Sequence, residues 1–193
     1  VFQAGFVWRV VEKKWPDFEK AFHKFNPKKL LSLSDEEWDS YAEDKSIVRN
    51  VPKIRTVLEN ANFILELEKD QKISFGEFLY NWPNSDQIGL LAFLKKNGGR
   101  LGGMTGQYFL RRCGKDSFIL SRDVIACFQA HGLDIKDIPG SKRELTLIQE
   151  TFNQFHKETN LPYTHLSRIM AYSTGENYEI KHIKSETDRF EKS

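Results

Sequence analysis

Cysteine is scarce in this chain, long apolar runs are absent, and one stretch of nearly thirty residues has no acid. The two cysteines are Cys113 and Cys127, with no C-x-x-C between them. Two thiols cannot make a disulfide framework, and a reducing compartment is the default expectation. No two of the five histidines are spaced H-x-x-x-H. Cys127 and His131 lie four apart and would share a helix face, but no second such pair completes a four-ligand set. No metal and no cofactor is therefore expected. No apolar run approaches the ~18 residues that a membrane span needs, and no signal peptide is visible, so the chain reads as cytoplasmic with no membrane partner. It begins at Val1 without a methionine, and further residues are expected ahead of it. Net charge is nearly absent too: 29 Lys and Arg against 27 Asp and Glu leave +2. That excludes a polycation, though not a local basic face.

What is present is ordinary globular composition, 39% hydrophobic and 29% charged over 193 residues, which suits one helical domain. Periodicity is helical almost throughout. Ile54, Val57, Leu58, Ala61, Ile64 and Leu65 make one helix face, and Leu145, Ile148, Phe152 and Phe155 make another. Ser34 with Glu37 and Ser141 with Glu144 are capping boxes, and Asn26 before Pro27 is a further start signal. Helices are expected near 2–14, 16–25, 27–32, 35–44, 51–68, 75–81, 86–97, 105–113, 122–131, 142–158 and 163–173. The fold class is all-α. Residues 1–174 form the helical domain. Residues 175–193, with nine charged residues in nineteen, form a charged C-terminal tail.

The most informative segment runs from Lys95 to Tyr108. One helix ends at Gly98-Gly99, another begins near Thr105, and Leu101-Gly102-Gly103-Met104-Thr105-Gly106 joins them. Exposed N–H groups at the start of a helix hold anions, and glycine lets a second backbone come close. From Gln87 to Lys115 there are six bases (Lys95, Lys96, Arg100, Arg111, Arg112, Lys115) and no acid. A helix-hairpin-helix at about 86–113 that grips a nucleic-acid phosphate is expected, through Lys96, Arg100, Gly102, Gly103, Thr105 and Gly106. A Walker phosphate loop is excluded, because G-x-x-x-x-G-K-[ST] is absent. A second acid-free stretch, Lys45 to Leu58, carries Arg49, Lys53 and Arg55, and reads either as a solvated face or as further phosphate contacts.

The opening Phe2-Gln3-Ala4-Gly5-Phe6-Val7-Trp8 resembles the Q-A-G-x-x-W segment of the bacterial 3-methyladenine DNA glycosylase I family. Phe18 to Lys28, Ile47-Val48-Arg49-Asn50-Val51-Pro52-Lys53-Ile54 and Asn60-Ala61 fit as well, and the hairpin falls at the matching place downstream. The resemblance implies a multi-helix helix-hairpin-helix DNA glycosylase fold. It also implies an enzyme that flips an alkylated base such as 3-methyladenine from duplex DNA and hydrolyses its N-glycosidic bond. Such a protein would be a bacterial, nucleoid-associated monomer. By position Trp8 would stack on the flipped base, although it also fits the apolar helix face with Gly5 and Val11 as a core tryptophan. Phe6 would be an apolar wedge in the vacated duplex. The family's pocket acid falls ahead of Val1. Its structural zinc uses ligands near both termini, with no His/Cys pair to match near this C-terminus.

Helix-hairpin-helix glycosylases more broadly carry an aspartate downstream of the hairpin, and Asp123 is the candidate, either catalytic or simply an acid favoured in a helix first turn. Relatives that nick the strand use a lysine after the hairpin as a Schiff-base nucleophile. Gln107 stands there, and an amide cannot do that chemistry, so a monofunctional enzyme is expected. The alternative is a helix-hairpin-helix module that binds DNA without catalysis. A helical protein–protein scaffold is disfavoured by the acid-free hairpin.

Overall fold

Start and stop signals read from the chain fall where helices begin and end in the structure, a computed structural model that describes residues 1–174; the charged segment 175–193, read above as a tail, lies outside the described residues. Among the described residues there are helices and no strands. The chain divides into two compact units, residues 1–115 and residues 116–193.

The first unit contains α1 (Trp8–Lys13), α2 (Trp15–Ala21), α3 (Pro27–Leu31), α4 (Asp35–Ser40), α5 (Val51–Gln71), α6 (Phe75–Asn81), α7 (Gln87–Asn97) and α8 (Gly103–Arg112), with short 3-10 turns at His23–Phe25 and Asn84–Asp86. Its spine is α5. The Asn50 side chain caps its start, and Lys72 closes it in the left-handed region at φ 56°. The N-terminal half of α5 gives Ile54 and Ala61 to a core with Phe2, Val11, Phe18, Phe22, Leu30 and Ile47. Its C-terminal half gives Phe63 and Leu67 to a second core with Leu79, Leu90, Leu94, Leu101 and Leu110. One long amphipathic helix thus ties the N-terminal aromatic cluster to the hairpin helices.

The first helix is shorter than its apolar pattern predicts. Residues 2–5 form a turn rather than the helix expected from Phe2, because Gly5 takes φ +70°, a conformation that helix excludes and glycine tolerates. The buried Phe2 ring still anchors this turn, 4.5 Å from that of Phe18. The hairpin's second helix starts at Gly103, two residues before Thr105.

The second unit contains α9 (Arg122–Ala130), α10 (Lys142–Thr159) and α11 (Tyr163–Thr174). Phe118 stacks on Phe152 at 4.2 Å and 5°, and Phe128 meets Phe152 edge-on at 5.2 Å. Asp116 accepts hydrogen bonds from the backbone N–H groups of Tyr163 (3.1 Å) and Thr164 (2.8 Å), satisfying the first turn of α11.

Candidate base pocket and hairpin

The N-terminal turn has two backbone hydrogen bonds of its own, Ala4 N–H to the Val1 carbonyl (3.1 Å) and Phe6 N–H to the Gln3 carbonyl (3.2 Å), and a lysine from α5 adds more. Lys53 is buried, 3% exposed. Its ammonium donates to the carbonyls of Phe2 (2.9 Å) and Ala4 and lies 4.2 Å from the centre of the Phe6 ring. Phe6 remains 38% exposed. Burial, and then the nearby Arg100 guanidinium, hold the Lys53 pKa below its ordinary value.

From this turn the chain enters α1 at Trp8, which is 41% exposed and hence no core tryptophan. Its ring meets Tyr108 of α8 edge-on at 5.5 Å and 87°, and the Arg112 guanidinium lies 5.0 Å from its centre. These rings form part of the wall of a cavity of about 1190 Å³, whose lining comes entirely from the first unit. Trp15 and Phe25, stacked at 5.4 Å, line another part. Phe6, Thr56, Asn60, Met104, Thr105 and Phe109 also face it. Among the described lining residues the one carboxylate is Glu12, which accepts a hydrogen bond from the Gln3 side chain at 3.3 Å. Glu12 is a residue that the sequence reading missed. Its signal was there, since it follows Trp8 by four and so shares its helix face.

The hairpin is held from α5 as well. The Asn60 side chain accepts from the Gly99 N–H (2.9 Å) and donates to the Gly99 carbonyl (3.1 Å). Leu101 is buried in the core. Gly106 packs so closely that a Cβ there would stand 2.4 Å from the Leu101 carbonyl oxygen. Side chains cap α3 to α7, α9 and α10, whereas α8 starts on Gly102 with no side-chain cap. Its first N–H groups are therefore of the kind that a helix start offers to an anion. Lys95, Lys96 and Arg100 flank it and are exposed. Two of the six bases expected on this face have other work. Lys115 donates to the carbonyls of Tyr80 (3.1 Å) and Trp82, and Arg112 lies over Trp8.

A model of the methyladenine glycosylase family matches residues 1–91. A DNA-3-methyladenine glycosylase of Haemophilus influenzae is 30% identical over 86 residues, 45% of this chain and 46% of that protein. DNA-3-methyladenine glycosylase 1 of Escherichia coli is 27% identical over 144 residues, 65% of this chain and 74% of that one. A crystal structure of a variant of 3-methyladenine DNA glycosylase I in complex with 3-methyladenine aligns with a TM-score of 0.51 at 25% identity, over 58% of this chain and 70% of its own. Over its N-terminal half the chain is similar to the methyladenine glycosylase family. The described residues are all helical, and over the aligned part their fold is like that of the 3-methyladenine DNA glycosylase I structure. The chain spans less than half the length of the Haemophilus relative.

Four further residues can be placed. Gln107, which stands where strand-nicking relatives carry lysine, is buried in α8. Asp123 belongs to the second unit, half-buried in the first turn of α9, where Ser121 caps the helix by accepting from Val124 N–H at 3.3 Å. Cys127 and His131 do not fit a zinc site. The His131 ring Nδ1 lies 2.8 Å from the Cys127 carbonyl oxygen and 3.9 Å from its sulfur, and among the described residues no three metal-ligating side chains converge. No described helix is long and apolar enough to cross a membrane.

Proposed function

We propose that this chain is a monofunctional DNA glycosylase that hydrolyses the N-glycosidic bond of an alkylated base such as 3-methyladenine in duplex DNA. The observation that carries the reading is the shared use of α8. Its uncapped first turn belongs to the basic hairpin, and one turn on Tyr108 meets Trp8 in the cavity wall. A phosphate grip and an aromatic-walled cavity with ample room for a base, sharing one helix, suit an enzyme that extrudes a nucleotide. In this reading Lys96, Arg100 and the backbone from Gly102 to Gly106 hold one strand. Phe6 enters the gap left by the flipped base, and Trp8 stacks on the base. A purine methylated at N3 is cationic, and Glu12 faces that charge. When the bond to the deoxyribose breaks, its electron pair goes to the base, which leaves neutral. The sugar cation then adds water, which gives up a proton to solvent to leave the neutral hemiacetal, and we assign stabilisation of the cation to Asp123. Gln107 supplies no amine for a Schiff base, so strand nicking is not part of the reaction. The enzyme works as a monomer in the bacterial cytoplasm, on the DNA of the nucleoid.

The test is release of free base from methylated duplex DNA, comparing the parent chain with Trp8→Ala and Asp123→Asn. Base release by the parent that falls in both variants is the expected result. Parent chain that binds DNA but releases no base leaves the non-catalytic binding module. Borohydride trapping on abasic DNA would refute the monofunctional assignment.

A further inference from the structure

We infer that Lys53 is a positioning residue that holds Phe6 ready to enter DNA and acts only through it. Phe6's task as a wedge rests on the glycosylase reading; the grip on it rests on geometry. Lysines are almost never fully buried unless paired, and Lys53 is buried where its neighbours Arg49 and Arg55 are exposed. Its ammonium reaches three groups of one short segment: the Phe2 and Ala4 carbonyls and the face of the Phe6 ring. That segment is a turn with Gly5 in the left-handed region; the buried Phe2 ring and two turn hydrogen bonds, Ala4 N–H to the Val1 carbonyl and Phe6 N–H to the Gln3 carbonyl, shape its start, and Lys53 is what reaches the Phe6 side chain. A cation bonded to two carbonyls of a turn fixes the path of the backbone, and its attraction for the ring fixes the side chain. Phe6 is thereby held with one face on the ammonium while the ring stays partly exposed.

The placement on α5 extends the argument. Lys53, Thr56 and Asn60 follow at i, i+3 and i+7, which is one helix face. Lys53 grips the Phe6 turn, Thr56 faces the cavity, and Asn60 grips Gly99 of the hairpin. A single rigid helix therefore sets the spacing between the wedge and the phosphate grip. Spacing of this kind decides whether an inserted ring and an anchored strand can be engaged together. Burial removes Lys53 from both expectations raised for its acid-free stretch, a solvated face and a phosphate contact.

The experiment uses the full chain with Lys53→Met, Phe6→Ala and the double variant. One readout is single-turnover base release from methylated duplex. The other is fluorescence of 2-aminopurine placed opposite an abasic site in bound duplex, which reports insertion of the wedge without any chemistry. Lys53→Met is expected to abolish most of the fluorescence change and to slow release about tenfold, as Phe6→Ala does, with the double variant no slower than Phe6→Ala alone. Losses that multiply, an unaltered fluorescence change, or a reduced salt dependence of DNA binding would overturn the inference. If Lys53→Met does not fold, Lys53→Arg carries the test, because a guanidinium keeps the charge but cannot bring one nitrogen to both carbonyls and the ring. Its loss must then disappear in the Phe6→Ala background; a loss that persists there, or no loss at all, overturns the inference. If the parent releases no base, the glycosylase reading falls and the fluorescence arm still decides the role of Lys53.

Discussion

Gly106 lies where the hairpin's connecting backbone crosses the helix that follows it, and alanine there tests the packing directly. A Cβ would stand 2.4 Å from the Leu101 carbonyl oxygen and 3.1 Å from a Leu91 methyl. The first contact is with backbone, in a residue whose side chain is buried, so the carbonyl has no free direction in which to retreat. Overpacking of this kind costs about 1–3 kcal/mol, and a backbone partner places it near the upper end. Replacing glycine with alanine inside a helix returns about 1 kcal/mol. The net is a loss of about 2 kcal/mol, a drop of roughly 4–8 °C in Tm for a chain of this size. Gly76 is the control. It lies on the exposed side of α6, where a Cβ would meet nothing nearer than the Ser74 hydroxyl at 3.9 Å. Gly76→Ala should therefore stabilise the chain by up to about 1 kcal/mol. Urea melts give both values, and fluorescence anisotropy with a labelled duplex shows whether the displaced hairpin binds DNA more weakly. A Gly106→Ala chain at least as stable as Gly76→Ala, with unaltered DNA affinity, would refute both the close approach and its link to DNA.

Three further outcomes follow from the same geometry. Arg100→Ala should weaken DNA binding alike for all sequences and lower the slope of log affinity against log salt by about 1, whereas Lys115→Ala, whose ammonium is engaged by the Tyr80 and Trp82 carbonyls, should lower Tm and leave that slope alone. Glu12→Gln should slow release of the cationic N3-methylated base from duplex DNA by several-fold, as expected for the loss of one partly screened charge, measured by single-turnover base release. The Ser141 hydroxyl, then the N–H groups of Lys136, Ser141 and Gly140, hold the Glu144 carboxyl at a pKa of about 2 against an ordinary 4.5. Its stabilising contribution is complete above the ordinary value and is lost as pH falls from there through about 2; the stability gap between the parent and Glu144→Gln in urea melts should close over that range.

Much of the fold was legible in the chain. Capping boxes, N-cap asparagines and glycine or proline breakers are local signals, set by hydrogen bonds within one turn, so most helix limits can be read without knowing the neighbours. The exception is instructive: Phe2 to Val11 has a helical apolar pattern, yet the segment turns at Gly5, because Phe2 is drawn into the core with Phe18 while Lys53 holds the carbonyls. The acid-free hairpin was likewise legible, whereas Trp8 read either as a pocket wall or as a core residue. Glu12 was not singled out, because an acid four residues from a tryptophan means something only once that face lines a cavity.

The sequence by itself determined the helices, the glycine hairpin and the local excess of base, since propensity, capping and charge are properties of neighbours along the chain. Only tertiary structure decided which bases remain available. Lys53 and Lys115 look like Lys95 and Lys96 in the sequence, but they bond to carbonyls from segments 51 and 35 residues away, and the free energy of a charge depends on what surrounds it in space. It also decided that Trp8 is a wall of a cavity and not part of the core, because exposure is set by packing between helices that no periodicity along one helix records.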